Sequence, residues 1–255
     1  VNRVKVDAII LAGSSNDGKL RECSDAANEA LITIGERIMV DFVVTALRES
    51  RYVERIAIVG PVEELARYFS HIPDLVLAQP GRTAMQSVEN GITVLALRRR
   101  VLVVTSDIPL ISPDAIDDFI SRCGDQQADL YYPIVPKEVN EAKYPGVKRT
   151  YVKLREGTFT GGNLFLVNPG IVHQVMQKAE ELVRLRKSPV ALARAVGFSV
   201  ILKYLLKLLS VPEAERKVSR MLGIRGVVVV SHYPEVGIDV DKPSDLELVR
   251  DVLVS

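Results

Sequence analysis

Three short runs, Asp7 to Leu11, Arg55 to Val59 and Val101 to Thr105, are β-branched or aliphatic almost throughout instead of alternating with polar residues. Strands that read this way are covered on both faces, which calls for helices on each side of a mainly parallel sheet. The sequence between the runs supplies such helices. Val40, Val43, Val44 and Leu47 fall at helical spacing after the first run, and Val62, Leu65, Ala66 and Phe69 repeat it after the second. A strand at Leu75 to Ala78 and a helix from about Thr83 to Leu97 precede the third run. Right-handed crossovers then join the strands. The first half therefore predicts an α/β fold with a three-layer wound, mostly parallel mixed sheet.

Ser112-Pro113-Asp114 opens another helix, with Ser112 as N-cap and Pro113 at the first helical position. Strands are predicted at Leu130 to Val135, Thr150 to Leu154 and Asn163 to Val167, forming a mixed edge of the same sheet. Ile171 to Leu222 reads as a helical insertion or lid near the C-terminus, broken near Ser188-Pro189, Gly197 and Pro212 and studded with Arg184, Arg186, Lys187, Arg194, Lys203 and Lys207. Strands at Val227 to Val230 and Gly237 to Val240 return to the sheet, and Pro243 starts a closing helix. No repeat and no convincing linker divides the 255 residues, so a single domain spanning residues 1–255 is expected, with 171–222 as an insertion within it.

With 47% hydrophobic and 25% charged residues the chain should be globular. A net charge of +1 gives no global attraction to nucleic acid or to an anionic membrane, so phosphate binding has to come from local clusters. Cys23 and Cys123 lack metal-ligand spacing and read as free thiols in a reducing compartment. No signal peptide is recognisable, and Lys203 and Lys207 interrupt the most apolar late stretch, so a cytoplasmic location is expected. His71, His173 and His232 share no spacing suggestive of zinc.

Chemistry is expected at the carboxyl ends of the central strands, where open α/β sheets bind ligands. The first run ends in the small-residue loop Leu11, Ala12, Gly13, Ser14, whose backbone N–H groups can hold phosphate oxygens, while Lys19 and Arg21 add positive charge. This loop fits neither the P-loop nor the dinucleotide glycine pattern, and an ordinary strand-to-helix loop is the alternative. Asp107, directly after the third run, can anchor Mg²⁺, which takes hard oxygen ligands and usually one or two carboxylates. Alternatively it caps a turn before the Ser112 helix. Asp239 and Asp241, two apart on an extended segment, share a face and are costly there without a cation or hydrogen bonds. Gly81, Arg82 and Ser87 lie in a segment able to shape the nucleotide pocket, and Gly162 with Asn163 in one able to meet a hydroxyl-bearing substrate. Either segment serves equally as a hairpin or a helix start.

Taken in order, DAIILAG at Asp7 to Gly13, the stretch Glu29 to Leu47, Gln86 to Ile92, Ser106-Asp107-Ile108-Pro109-Leu110 and Gly237 to Leu246 resemble the nucleotidyltransferase superfamily, in its molybdopterin guanylyltransferase-like and methylerythritol-phosphate cytidylyltransferase-like branches. The resemblance implies a sheet of the nucleotide-diphospho-sugar transferase type. It implies transfer of a nucleotidyl group from a nucleoside triphosphate to a small phosphorylated acceptor (a sugar, alditol or cofactor phosphate) with release of pyrophosphate. It further implies Mg²⁺ on Asp107 and Asp239, nucleobase contact around Ser87, and Lys19 or Arg21 on the pyrophosphate side. Two positions depart from the pattern: Ser14 stands where a second glycine is usual, and Glu29 where a lysine precedes the Ala-Leu pair. The loss of that lysine points to altered substrate choice or to lost activity.

Two other readings compete. One is a glycosyltransferase that binds a nucleotide-sugar through Asp239-Val240-Asp241, and the other is a nucleotide-binding module without catalysis. The basic helices from Arg184 to Lys207 raise membrane or lipid-phosphate contact as a further alternative, against which their apolar residues point to core packing. The sequence leaves open which base is used and whether a homodimer forms.

Overall fold

The computed structural model describes residues 5–96, 99–125, 127–185 and 197–254. Its first half follows the pattern of apolar runs: β1 (Val6–Leu11), α1 (Met39–Glu49), β4 (Val53–Val59), α2 (Val62–Phe69), β5 (Leu75–Ala78), α3 (Ala84–Leu95), β6 (Val101–Thr105) and α4 (Pro113–Arg122). A two-stranded hairpin, β2 (Thr33–Ile34) and β3 (Arg37–Ile38), turns at Gly35 before α1. The second half comprises β7 (Leu130–Pro136), α5 (Lys137–Lys143), β8 (Val152–Leu154), β9 (Gly157–Gly161), β10 (Leu164–Val167), α6 (Pro169–Leu185), α7 (Phe198–Leu205), α8 (Val211–Leu222), β11 (Gly226–Val230) and α9 (Pro243–Leu253).

The main sheet runs β5-β4-β1-β6-β10-β7-β9-β8, and β11 pairs in parallel with β7. Strands β5, β4, β1 and β6 are parallel, whereas β10 is antiparallel to both neighbours, β6 and β7. The expected mixed edge is thus present, and β10 inserts into it directly beside β6.

Alternation along the central strands explains why they are apolar on both faces. Ala8, Ile10, Ile56, Ile58, Leu102 and Val104 pack with Val43 and Leu47 of α1 and Ile116 and Phe119 of α4. Ile9, Ala57, Val59, Val101 and Val103 pack on the other side with Val88 and Leu95 of α3 and Val172 of α6. Gly91 allows α3 to lie close over β1: a Cβ there would fall 2.7 Å from Ile9 Cγ2. A third cluster, with Leu20, Ile34, Met39, Leu110, Ile238, Val240 and Leu246, lies between the small hairpin and α9.

The predicted cap at Ser112 holds. Ser112 Oγ accepts from the Ala115 N–H at 3.2 Å with Pro113 in the first turn, a contact worth about 1 kcal/mol. Ser210 and Glu213 form a reciprocal capping box at the start of α8, with Pro212 in its first turn, so the helical stretch is interrupted between Leu205 and Val211, near the expected Pro212.

Several expectations need correction. Gly237 to Val240 is not a ladder strand; the chain makes a 3₁₀ turn at Pro234–Gly237 and then runs extended without a paired neighbour. Within it the Val240 N–H donates to the Asp107 carbonyl. Helix α3 stops at Leu95 because Ala96 adopts a left-handed conformation (φ 49°). The breaks proposed at Ser188-Pro189, together with Arg186, Lys187 and Arg194, lie outside the described residues. Core packing does not extend to all of α7 and the turn after it, where Leu202, Leu205, Leu206 and Leu208 are exposed. An ion pair between Lys203 and Glu213 ties that helix to α8. No helix among the described residues is long and apolar enough to cross a membrane.

Candidate active site

The carboxyl ends of β4, β1 and β6 are stitched together first. The Ala12 N–H donates to the Val59 carbonyl at 2.8 Å, and the Ser106 N–H donates to the Leu11 carbonyl at 3.2 Å. The loop after β1 folds over on itself: buried Asn16 donates through Nδ2 to the carbonyls of Ser24 and Ala26, both at 2.9 Å. Glu29 is fixed beside the loop because its N–H donates to the Ser14 carbonyl at 3.1 Å.

The C-terminal segment is brought to the same place by main-chain bonds. The Thr105 N–H donates to the Asn163 carbonyl at 3.0 Å, and the Asn163 N–H donates to the Val236 carbonyl at 2.9 Å. The Val240 N–H then donates to the Asp107 carbonyl at 2.9 Å. Ile238 and Val240 are buried in the third cluster, so Asp239 and Asp241 face the other way. Carboxylate oxygens of Asp107, Asp239 and Asp241 all lie within 4.8 Å of one another. The face-sharing read from the i, i+2 spacing is therefore present without a ladder.

Electrostatics make this cluster unstable in isolation. Burial pushes the Asp107 carboxyl above the usual carboxylate range, and Asp241 adds to the shift. Burial and Asp241 raise Asp239 as well, although Arg149 opposes them. Glu29 is pushed up to about 7 by burial and then by Asp107, Asp241 and Asp17. Asp107 Oδ1 and Thr105 Oγ1 are buried without a hydrogen-bond partner. Orphaned, all-oxygen donors converging in this way fit a hard divalent cation, for which Asp107, Asp239 and Asp241 would be the ligands.

One functional neighbour was not anticipated from sequence. The side chain of Arg149, in the loop before β8, is only 7% exposed and reaches Asp239 through Nη1 on Oδ1 at 3.0 Å. Its Nη2 donates to the Asp239 carbonyl at 2.7 Å. Nothing local in Lys148-Arg149-Thr150 distinguishes it from a surface arginine, so only tertiary packing reveals its role.

Of the residues expected on the nucleotide side, Gly13 lies where β1, β4 and β5 end. A cleft of about 400 Å³ opens there, lined among others by Gly13 after β1, Pro61 and Glu63 after β4, and Gln79 and Pro80 after β5. Gly13 sits so close to Pro80 that a Cβ would come within 2.8 Å of it. Gly81 donates its N–H to Ser87 Oγ at 3.0 Å, and the Arg82 N–H donates to Gln86 Oε1 at 2.9 Å, which shapes the start of α3. Lys19 is exposed and unpaired among the described residues, while Arg21 donates from Nη1 to the Asp25 carbonyl at 2.9 Å within its own loop. Gly162 is buried against Val236 and Pro133, and with Asn163 it forms the joint that carries the Asp239 segment to β6.

A wound mixed sheet with acids gathered beyond β1 and β6 is an arrangement expected of a nucleotidyltransferase, and the family match shows that class. The chain belongs to the MobA-like NTP transferase domain family, whose model matches residues 8–181. It is similar to a hypothetical transferase from Thermus thermophilus, at 37% identity over 95% of this chain and 100% of that one with a TM-score of 0.80. Its fold is also that of 2-C-methyl-D-erythritol 4-phosphate cytidylyltransferase from Thermus thermophilus (14% identity, 99% and 100% coverage, TM-score 0.56). CMP:2-keto-3-deoxy-manno-octonic acid synthetase, solved with CTP, shares it too (13% identity, 98% of each chain, TM-score 0.57). No curated protein matches the chain.

Proposed function

We propose that this nucleotidyltransferase is Mg²⁺-dependent and joins a nucleoside triphosphate to a small phosphorylated acceptor, releasing pyrophosphate. The observation that carries the reading is the Val240 to Asp107 hydrogen bond, which gathers three carboxylates from distant segments around a buried, unpartnered oxygen. When bound, Mg²⁺ supplies charge neutralisation and alignment of phosphate oxygens. The chain's own residues supply the rest. The N–H groups of Gly13 and Ser14, with Lys19, face the triphosphate, the cleft beside Gly13 and Gly81 takes the base, and the flank by Asn163 takes the acceptor. Arg21 reaches the pyrophosphate side by leaving its contacts in the loop. The full chain acts as one domain, with residues 171–222 shaping the acceptor side.

In the reaction an oxygen of the acceptor phosphate attacks the α-phosphorus in line, a new P–O bond forms and the bond to the β-phosphate oxygen breaks. An acceptor phosphate is already ionised near neutral pH, so no side chain has to remove a proton. Support comes from the acid constellation and from the family. Pyrophosphate release should be measured with each of the four nucleoside triphosphates and a panel of sugar, alditol and cofactor phosphates. Turnover should appear with at least one pair, and Asp107→Asn should lower it by ~10²-fold or more. Undiminished turnover in Asp107→Asn, or release of a nucleoside diphosphate from a nucleotide-sugar, would overturn the reading.

A further inference from the structure

All four exposed leucines among the described residues fall within one short stretch: Leu202 and Leu205 on α7, and Leu206 and Leu208 in the turn that ends it. Leu205, Leu206 and Leu208 are 68%, 58% and 56% exposed, and Tyr204 stands exposed among them. Single exposed apolar side chains are ordinary, whereas a contiguous group marks a surface made to meet something. The group is held rigidly. Lys207 adopts a left-handed conformation (φ 60°), and the Leu208 and Leu209 N–H groups both donate to the Lys203 carbonyl, at 2.7 and 3.1 Å. The carbonyl of buried Leu209 then accepts from the Arg155 N–H at 2.9 Å, which anchors the turn to the β8–β9 hairpin. The leucines on either side of Lys207 are therefore presented by a fixed corner, in spite of strain that a glycine there would avoid.

Charge indicates what covers this corner. Residues 197–225 carry six basic and two acidic side chains although the whole chain is only +1, so the rest of the molecule is net acidic. Lys203 and Lys207 are interleaved with the leucines. Glu213 of α8 pairs with Lys203, and Arg216, Lys217 and Arg220 follow it at i+3, i+4 and i+7 on the same face of that helix. Lys217 Nζ reaches the start of α7, where a Cβ on Gly197 would lie 3.6 Å from it. Lys207, Arg216, Lys217 and Arg220 make no ion pair among the described residues. Leucines edged by lysines, with a tyrosine among them, are the pattern of a segment lying in the plane of an anionic bilayer. The leucines enter the acyl boundary while the ammonium groups stay with the lipid phosphates. A second copy of the chain fits less well, because a two-fold contact sets each cation near its own counterpart and lysine is depleted from interface cores.

We propose that the α7 corner, with the basic face of α8 beside it, docks this protein on an anionic lipid surface. The inference goes beyond the nucleotidyl-transfer reading and does not depend on it, since a chain without turnover would bind in the same way. Net charge alone gives no reason to expect membrane contact; the segregation of charge does. Attachment is peripheral and reversed by salt, because no helix among the described residues is long and apolar enough to span a bilayer and the cations act through a screened surface potential.

Sedimentation with extruded vesicles tests this. At low salt the full chain should pellet with vesicles of phosphatidylcholine and phosphatidylserine in equal parts, and it should stay in solution with phosphatidylcholine alone. Salt at about 1 M should release it from the mixed vesicles. Leu205→Ser combined with Leu206→Ser should weaken binding to the mixed vesicles by ~10-fold or more, because two leucines no longer enter the acyl boundary. Lys207→Gln should weaken it about fivefold, the effect of one cation lost near an anionic surface. All three side chains are exposed, and circular dichroism should show both variants folded. The proposal is overturned if the wild type does not pellet with the mixed vesicles, if it pellets equally with phosphatidylcholine alone, or if the double leucine variant binds undiminished. A concentration-dependent dimer in light scattering that the double variant abolishes would also overturn it, by giving the corner to a second copy of the chain.

Discussion

The guanidinium of Arg149 holds Asp239 at two points, its carboxylate Oδ1 at 3.0 Å and its main-chain carbonyl at 2.7 Å. A forked contact to both fixes where the carboxylate points as well as lowering its isolation. Removing such a support around a metal ligand typically costs 10- to 100-fold in metal affinity. Arg149→Ala is therefore expected to weaken Mg²⁺ or Mn²⁺ binding by at least ~10-fold. Arg149→Lys should not restore it, because an ammonium cannot reproduce the fork. Calorimetric titration of both variants checks this. Tighter binding in Arg149→Ala would show that the arginine merely competes with the cation.

Acid crowding makes the metal-free protein sensitive to pH in a definite direction. Glu29 titrates near 7 in the fold against an ordinary 4.5, so the folded state keeps a proton that the unfolded chain releases earlier. Stability should be highest below about pH 4.5 as far as this group is concerned, fall as pH rises through 7, and level off above. Asp107 and Asp239, also raised, act in the same sense. Thermal unfolding without metal should show a lower midpoint at pH 8 than at pH 5.5, and saturating Mg²⁺ should raise the midpoint more at pH 8. Equal midpoints at both pH values in the metal-free protein would contradict this.

At Gly81 the limit is space. A Cβ would lie 2.3 Å from Gln86 Cβ and 2.8 Å from the Gln86 carbonyl carbon, so Gly81→Ala has to push the first turn of α3 away from the loop. Overpacking of this kind costs about 1–3 kcal/mol. It also disturbs the Gly81 to Ser87 contact beside the cleft proposed for the nucleotide. The expected kinetic result is a several-fold higher KM for the nucleotide with kcat little changed. Steady-state kinetics and urea unfolding on the same preparation separate the two effects.

Asp7 tests the opposite end of β1. It is fully buried and ion-paired to Arg55 at 2.7 Å and Arg99 at 3.2 Å. Asp7→Asn keeps the shape but loses the charge-assisted bonds, a loss of about 1–3 kcal/mol. Because the residue sits at the amino end of the strand, kinetic constants should stay as they are. Chemical denaturation beside an activity assay measures both.

Much of the fold was legible because burial on two faces leaves a plain mark: unbroken apolar runs at Ile9 to Leu11 and Val101 to Val104 read as central strands, and the spacing of Val40 to Leu47 reads as a covering helix. The hairpin at Thr33 to Ile38 and the helix at Lys137 to Lys143 left no comparable mark, because two-residue strands and a seven-residue helix are too short for a periodic apolar pattern. At the site, Asp107, Asp239 and Asp241 could be singled out because acids at the ends of apolar segments are expensive. Arg149 could not, since its meaning lies in a neighbour ninety residues away. The Gly237 to Val240 segment was legible in its alternation but not in its pairing, because one bond to Asp107 replaces the ladder.

That single bond ties residues more than half the chain apart, and it has a consequence for how the molecule comes into being. The family match ends at residue 181, so the matched region contains Asp107 but neither Asp239 nor Asp241. During synthesis the sheet can assemble strand by strand while the crevice still lacks two of its three clustered acids. Only when the segment carrying Asp239 and Asp241 docks against Asp107 do the three carboxylates meet and the repulsion between them appear. Competence for the proposed chemistry thereby requires the chain through Asp241 to have been made and folded.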